Sequence, residues 1–255
     1  MKKKTILVVA IAVMLVAALV VGGTLAYFTD MKSADNVFTT GGVKIQLNEQ
    51  QRDGKGGLET FKQDKVLYPI VGSAQGEKDE YGMPTAKNYV DKMISVTNTG
   101  KSDAYVRAYF AIPALLDDGD PSFNASKNIL HFNFGNVKVG DTWRTTYQNE
   151  WIWLNDAGHW NFYATTMKDG VEYNVYYADY SKALAPNATT EMFVQGVYLD
   201  KDFNFDAGTT TFKGVDLNKI TCPVVAVAVQ AEGFDSAAEA ITAAYGANFN
   251  PFAGK

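Results

Sequence analysis

Residues Ala104-Tyr105-Val106-Arg107-Ala108-Tyr109-Phe110-Ala111-Ile112 alternate between an apolar set (Ala104, Val106, Ala108, Phe110, Ile112) and a larger amphipathic set (Tyr105, Arg107, Tyr109). Successive side chains of a strand point to opposite faces, so a period of two over nine residues predicts a β-strand with one dry face. Arg107, between two tyrosines, is expected on the outward face, either stacked on those rings or facing solvent. The stretch 90–97 is joined to this strand by Asn98-Thr99-Gly100-Lys101-Ser102-Asp103, a polar, glycine-containing connection that suits a hairpin. The two stretches are expected to pair antiparallel.

The pattern continues in both directions. Upstream, Val43, Ile45 and Leu47 alternate with Lys44, Gln46 and Asn48; downstream, strands are expected at 131–134, 151–154, 160–165, 171–177, 191–199 and 224–230. In the last of these Val225, Val227 and Val229 share one face and Ala226 and Ala228 the other. The alanines imply close approach of another element, for which the terminal helix is the candidate. That helix is expected within 235–246: Ser236 or Asp235 caps it, Ala237 to Tyr245 form it, and Gly246 stops it. Residues 50–84, with Gly54, Gly56, Gly57, Gly72, Gly76 and Gly82 among charges and amides, read as a long, partly mobile loop insertion. The fold class is therefore an all-β antiparallel sandwich with one short C-terminal helix.

The chain has 255 residues, 47% hydrophobic and 20% charged, which is globular composition and excludes a wholly disordered or multi-span membrane protein. The net charge is −5, and removing Lys2, Lys3 and Lys4 takes it to −8. With no Lys/Arg cluster, nucleic-acid binding is not expected. Cys222 is the single cysteine and reads as a small buried hydrophobe at a strand start.

Met1-Lys2-Lys3-Lys4 precedes an uncharged run at 5–21 and then Gly22-Gly23-Thr24-Leu25-Ala26. A positive start, an apolar middle and a small-residue exit make 1–26 a signal peptide, with Thr24 and Ala26 at the −3 and −1 positions and Tyr27 first in the mature chain. The competing reading is an uncleaved anchor, because seventeen residues approach the length of a spanning helix. Either way the three lysines hold the N-terminus inside, and residues 27–255 form one domain beyond the membrane. No second hydrophobic span and no LPxTG motif lies near the C-terminus, so retention at a surface is expected through non-covalent contacts.

No catalytic residue, metal site or cofactor is expected. His131 and His159 lack the His-Glu-x-x-His spacing that puts two imidazoles and a base on one helix face. Gly-x-Ser-x-Gly is absent. Asp117-Asp118-Gly119-Asp120 lacks the spacing and distal Glu of a calcium loop and reads as a solvated turn before Pro121. Trp143, Tyr147, Trp151, Trp153, Trp160, Phe162 and Tyr163 are dense enough to serve as core, protein interface or sugar-stacking platform.

The segments Gly22-Gly23-Thr24-Leu25-Ala26-Tyr27-Phe28-Thr29-Asp30 and Ser33-Ala34-Asp35-Asn36-Val37-Phe38-Thr39-Thr40-Gly41 resemble the signal-peptide exit and mature start of the TasA/camelysin family. These are exported proteins of Gram-positive bacteria with a SipW-type signal peptide. Further likeness lies in Ile94-Ser95-Val96-Thr97-Asn98-Thr99-Gly100 leading into Ala104-Tyr105-Val106-Arg107, and in Tyr176-Tyr177 through Leu184-Ala185-Pro186-Asn187-Ala188-Thr189-Thr190-Glu191-Met192-Phe193. A last feature is Val229-Gln230-Ala231-Glu232-Gly233-Phe234-Asp235 before the Ala-rich helix.

The resemblance implies a jelly-roll sandwich, a dedicated signal peptidase, and a biofilm-matrix or cell-surface fibre. In that fibre each copy donates an extended N-terminal segment, 27–40, to the next. Tyr27, Phe28, Val37 and Phe38 are the expected anchors of the donated strand, and the partner is the chain itself, head to tail. Relatives have also been catalogued as metallopeptidases, an activity these residues do not support. The alternative function is a cell-surface carbohydrate-binding or adhesin module that presents Trp143, Trp151, Trp153 and Trp160 to matrix polysaccharide or cell wall.

Overall fold

Phe110 and Phe132 meet edge to face with ring centroids 4.8 Å apart and planes at 84°, one ring from each of two facing antiparallel sheets. The computed structural model describes residues 29–33, 36–39, 42–62, 67–74, 76–80, 82–117, 129–133, 136–139, 142–145, 160–168, 170–206, 209, 211–213, 215–217 and 221–253.

One sheet has the order β10 (Asn161–Lys168), β11 (Val171–Asp179), β6 (Ala104–Pro113), β15 (Val224–Gln230), β1 (Thr29–Ser33), β2 (Asn36–Thr39). The other runs β4 (Leu58–Thr60), β3 (Ile45–Arg52), β5 (Val90–Asn98), β12 (Val194–Leu199), β7 (Leu130–Asn133). Two small ribbons, β8 (Asn136–Val139) with β9 (Thr142–Thr145) and β13 (Thr211–Phe212) with β14 (Val215–Asp216), and one helix, α1 (Ala237–Tyr245), complete the described elements. The all-β sandwich with a single short C-terminal helix is the fold that the alternation predicted.

The apolar set of β6, Ala104, Val106, Ala108, Phe110 and Ile112, is buried between the sheets with Ile45, Ile94, Val96, Val197 and Leu199. Burial of each large aliphatic or aromatic side chain there contributes about 1.5–3 kcal/mol. The opposite face of the six-stranded sheet is also covered. Tyr109, Val225, Val227 and Val229 pack with Ala240 and Ile241 of α1 and with Phe252 of the tail. Helix α1 is capped as expected: Glu239 N donates to Ser236 Oγ (3.2 Å), Asp235 N donates to Glu239 Oε2 (3.0 Å), and Gly246, at φ +87, ends it.

Several expectations are corrected. The stretches around 98–103 do not pair: β5 lies between β3 and β12, and β6 between β11 and β15, in the other sheet. The connection is a corner between layers, held by the buried Asn98 side chain, which donates to Ser102 O (2.9 Å) and Leu184 O (2.8 Å) and accepts from Gly100 N (2.9 Å). Ala226 and Ala228 face the core between the sheets, and the helix packs on the valine face instead. Arg107 is 8% exposed; its Nε and Nη2 donate to Asp179 (2.5 and 2.8 Å) and its guanidinium lies 4.3 Å from the Tyr177 ring centre.

Asp117 is not a solvated turn residue. It is buried and accepts hydrogen bonds from Tyr176 Oη (2.6 Å) and Asn174 Nδ2 (2.8 Å), while 118–120 lie outside the described residues. Cys222 packs against the core just ahead of β15, and burial pushes its thiol up to about 12. The insertion 50–84 begins with structure, since β3 continues through Arg52 and pairs with β4. Arg52 ties the excursion down, donating to Asp79 (2.6 Å), Asp91 (2.5 and 2.8 Å) and Pro84 O (3.1 Å).

Gly196 of β12 leaves room for Tyr89, whose hydroxyl and ring edge occupy the space a Cβ would need. Replacing Gly196 with Ala is expected to cost roughly 1–3 kcal/mol through overpacking. Thermal unfolding followed by circular dichroism will show a lowered Tm that Tyr89→Ala in the same chain partly restores. Asp117→Ala removes the acceptor of two buried donors, at about 1–3 kcal/mol for each donor stranded. Asp117→Asn keeps one carbonyl oxygen and will fall between Asp117→Ala and the parent in urea denaturation.

Candidate assembly edge

Strand β15 is the last strand that the domain from Gly42 onward contributes to the six-stranded sheet. On one side it pairs with β6, Val224 opposite Phe110 through Gln230 opposite Ala104. On the other it pairs with β1, Thr29 opposite Val229, Met31 opposite Val227 and Ser33 opposite Val225. The N-terminal strand thus satisfies a row of β15 backbone groups that would otherwise form an open edge. Strand β2 turns back on β1, with Lys32 opposite Val37 and Met31 opposite Phe38.

The domain is clamped from Gly42. Lys101 N donates to Gly42 O (3.0 Å) and Thr99 N to Lys44 O (2.7 Å). Gly100 fits only as glycine, because a Cβ there would lie 2.6 Å from Gly42 O and 2.7 Å from Lys44 N. Among the described residues, β1 of the hairpin upstream of this clamp pairs within its sheet with β15 and β2.

On the side away from β1, β15 is backed by β6 and β11. Arg107 sits opposite Val227 on β6 and opposite Asp179 on β11. Desolvation pulls the Arg107 pKa down, but the hydrogen bonds and charge of Asp179 outweigh it and hold the value above the ordinary one. The pair locks β6 to β11 on the side of β15 away from β1.

The residues singled out from sequence fall as follows. Thr24, Ala26, Tyr27 and Phe28 lie outside the described residues. Val37 and Phe38 are on β2, so residues 29–39 form two antiparallel strands and not one extended segment; the polar run Ser33-Ala34-Asp35-Asn36 separates them. Trp143 is on β9 opposite Lys138, and Trp151 and Trp153 lie outside the described residues. Trp160 is 1% exposed, donates Nε1–H to Phe193 O (3.3 Å) and lies against Phe110, so it presents no face to a sugar ring. His131 is buried and stacked on Tyr198 with centroids 5.0 Å apart, its Nε2 3.3 Å from Asp200; His159 lies outside the described residues. Among the described residues no three His, Cys, Asp or Glu side chains come together as a metal site.

Sequence reasoning did not single out β15 as an acceptor. The signal was present in the valine alternation at 225–229, but nothing local says that a strand lacks a neighbour.

No helix among the described residues is long and apolar enough to cross a membrane. No curated protein and no solved structure matches the chain. Residues 1–52 match the model of a family described as camelysin metallo-endopeptidase, a stretch that takes in the charged start, the apolar run, the β1–β2 hairpin and β3 as far as Arg52. Over its first 52 residues the chain is thus similar to the camelysin family, the family that segments 22–30 and 33–41 resemble.

Proposed function

We propose that the chain is an exported structural subunit of a matrix or cell-surface fibre, joined to the next copy when β1 pairs with that copy's β15. The observation that supports this most directly is the five-residue antiparallel register of β1 on β15, upstream of a domain that is clamped only from Gly42. The same pairing formed in trans satisfies the same backbone groups. Closed and exchanged forms share their contacts, so the link at 40–41 and the subunit concentration set the balance between them. Such a contact is head to tail and does not close, which gives a filament.

Secretion follows from the leader. A dedicated signal peptidase acting between Ala26 and Tyr27 frees the N-terminus two residues before β1, and the donor leaves the membrane with the domain. The match to the camelysin family is in keeping with an exported protein. The endopeptidase activity in that family's description is not carried over, since His131 is committed to Tyr198 and Asp200. Trp160, one of the four aromatic residues of the carbohydrate-binding reading, lies in the core.

Electron microscopy of the chain starting at Tyr27, beside one starting at Gly41, with circular dichroism on both, tests the mechanism. Filaments from the longer chain alone are expected. Filaments from both chains, or folded monomers from both under varied pH and salt, contradict it. Phe28→Asp with Phe38→Asp is expected to abolish filaments while leaving the circular dichroism spectrum of the domain unchanged.

A further inference from the structure

Lys92 and Gln195 are polar residues, each 8% exposed, that neither the apolar core nor the assembly edge accounts for. On β5 Lys92 lies between Val90 and Ile94, both packed against the core between the sheets, so alternation puts all three on the inner face. Its Nζ donates to Glu49 Oε2 of β3 (3.0 Å) and lies 4.7 Å from the centre of the Phe61 ring. On β12, Gly196 and Tyr198 both face Tyr89: a Cβ on Gly196 would meet the Tyr89 hydroxyl, and the Tyr198 ring stacks on that of Tyr89. Gln195, between them, therefore shares the inner face with Val197 of the core. The register brings the two residues side by side, since Val194 is opposite Ile94 and Gly196 opposite Asp91, which leaves Gln195 against Lys92 and Met93 at a bulge. Gln195 Oε1 is buried and has no hydrogen-bond partner among the described residues. A buried carboxamide left in this state is unusual, because the unmade bond costs stability.

We infer that the Lys92 amine and the Gln195 carboxamide condense into an isopeptide bond that staples β5 to β12, with Glu49 carrying the protons. Residues directly opposite on neighbouring strands have Cβ atoms about 4.5–5.5 Å apart, a gap that the flexible four-carbon stem of lysine spans. The Glu49 carboxylate takes a proton from the Lys92 ammonium, and the neutral amine attacks Cδ of Gln195. The Nζ–Cδ bond forms and the Cδ–Nε2 bond breaks. Of the three protons on the ammonium, one stays on the new amide and two leave with Nε2 as ammonium, passed through Glu49, whose carboxylate is regenerated. Nothing is oxidised or reduced. The Lys92 and Glu49 side chains are 10% and 16% exposed, so little water competes for the acyl carbon. The staple lies in the five-stranded sheet, away from β15, and the inference does not rest on the filament reading.

The test is intact-mass spectrometry of the denatured chain starting at Tyr27, followed by proteolysis and sequencing of the fragments. The parent is expected to be lighter than its sequence mass by one ammonia and to yield a branched peptide in which residues 92 and 195 are joined. Lys92→Arg keeps a cation beside Glu49 but offers no amine, and Glu49→Gln removes the proton carrier. Both are expected at full sequence mass, with circular dichroism reporting that each is folded. A parent at its full sequence mass overturns the inference without any variant. Loss of ammonia that persists in Lys92→Arg also overturns it, since the loss then arises elsewhere. A branched peptide formed by Glu49→Gln at the parent's yield overturns the proton route through Glu49. The mass is read on single chains, so the result is the same whether or not the protein polymerises.

Discussion

Strand β15 is covered on both faces and bonded on both sides. Its valines lie under α1, its alanines lie between the sheets, β6 holds one edge and β1 the other. A strand this buried cannot leave a row of backbone groups unpaired, since no water reaches them to replace the missing ladder. The rest of the six-stranded sheet is arranged around that requirement. Arg107 and Asp179 lock β6 to β11 on the far side, and the helix and tail seal the valine face. The near side is left to a segment that joins the domain only at Gly42.

Because β1 is followed by β2, with two residues between β2 and Gly42, the pairing of β1 with β15 is made within one chain. Any copy of the same segment meets the same register. That property separates a strand-exchange polymer from one built on a patch of side chains, where the interface and the fold draw on different residues. In the proposed fibre they draw on the same hydrogen bonds, so exchange would add no new contact and would be governed by the link and by concentration.

Strand identity was legible in the chain because period-two alternation is a local property: the 224–230 strand and the Ala237 to Tyr245 helix were read with the bounds they have. Sheet membership was not. Asn98-Thr99-Gly100 has the composition of a hairpin turn, and only the distant Leu184 carbonyl, which takes the Asn98 amide, makes it a corner between layers. Asp117 was misread for the same reason. A run of acidic residues before a proline looks solvated until Tyr176 and Asn174 arrive from a strand some sixty residues away. Arg107 needed Asp179, and Trp160 needed Phe193, before their burial could be deduced.

At β15 the edge left by the domain from Gly42 onward is filled by the chain's own N-terminus. In the proposed fibre the same segment of a neighbouring copy takes that place, a head-to-tail contact that does not close on itself and so continues in one direction.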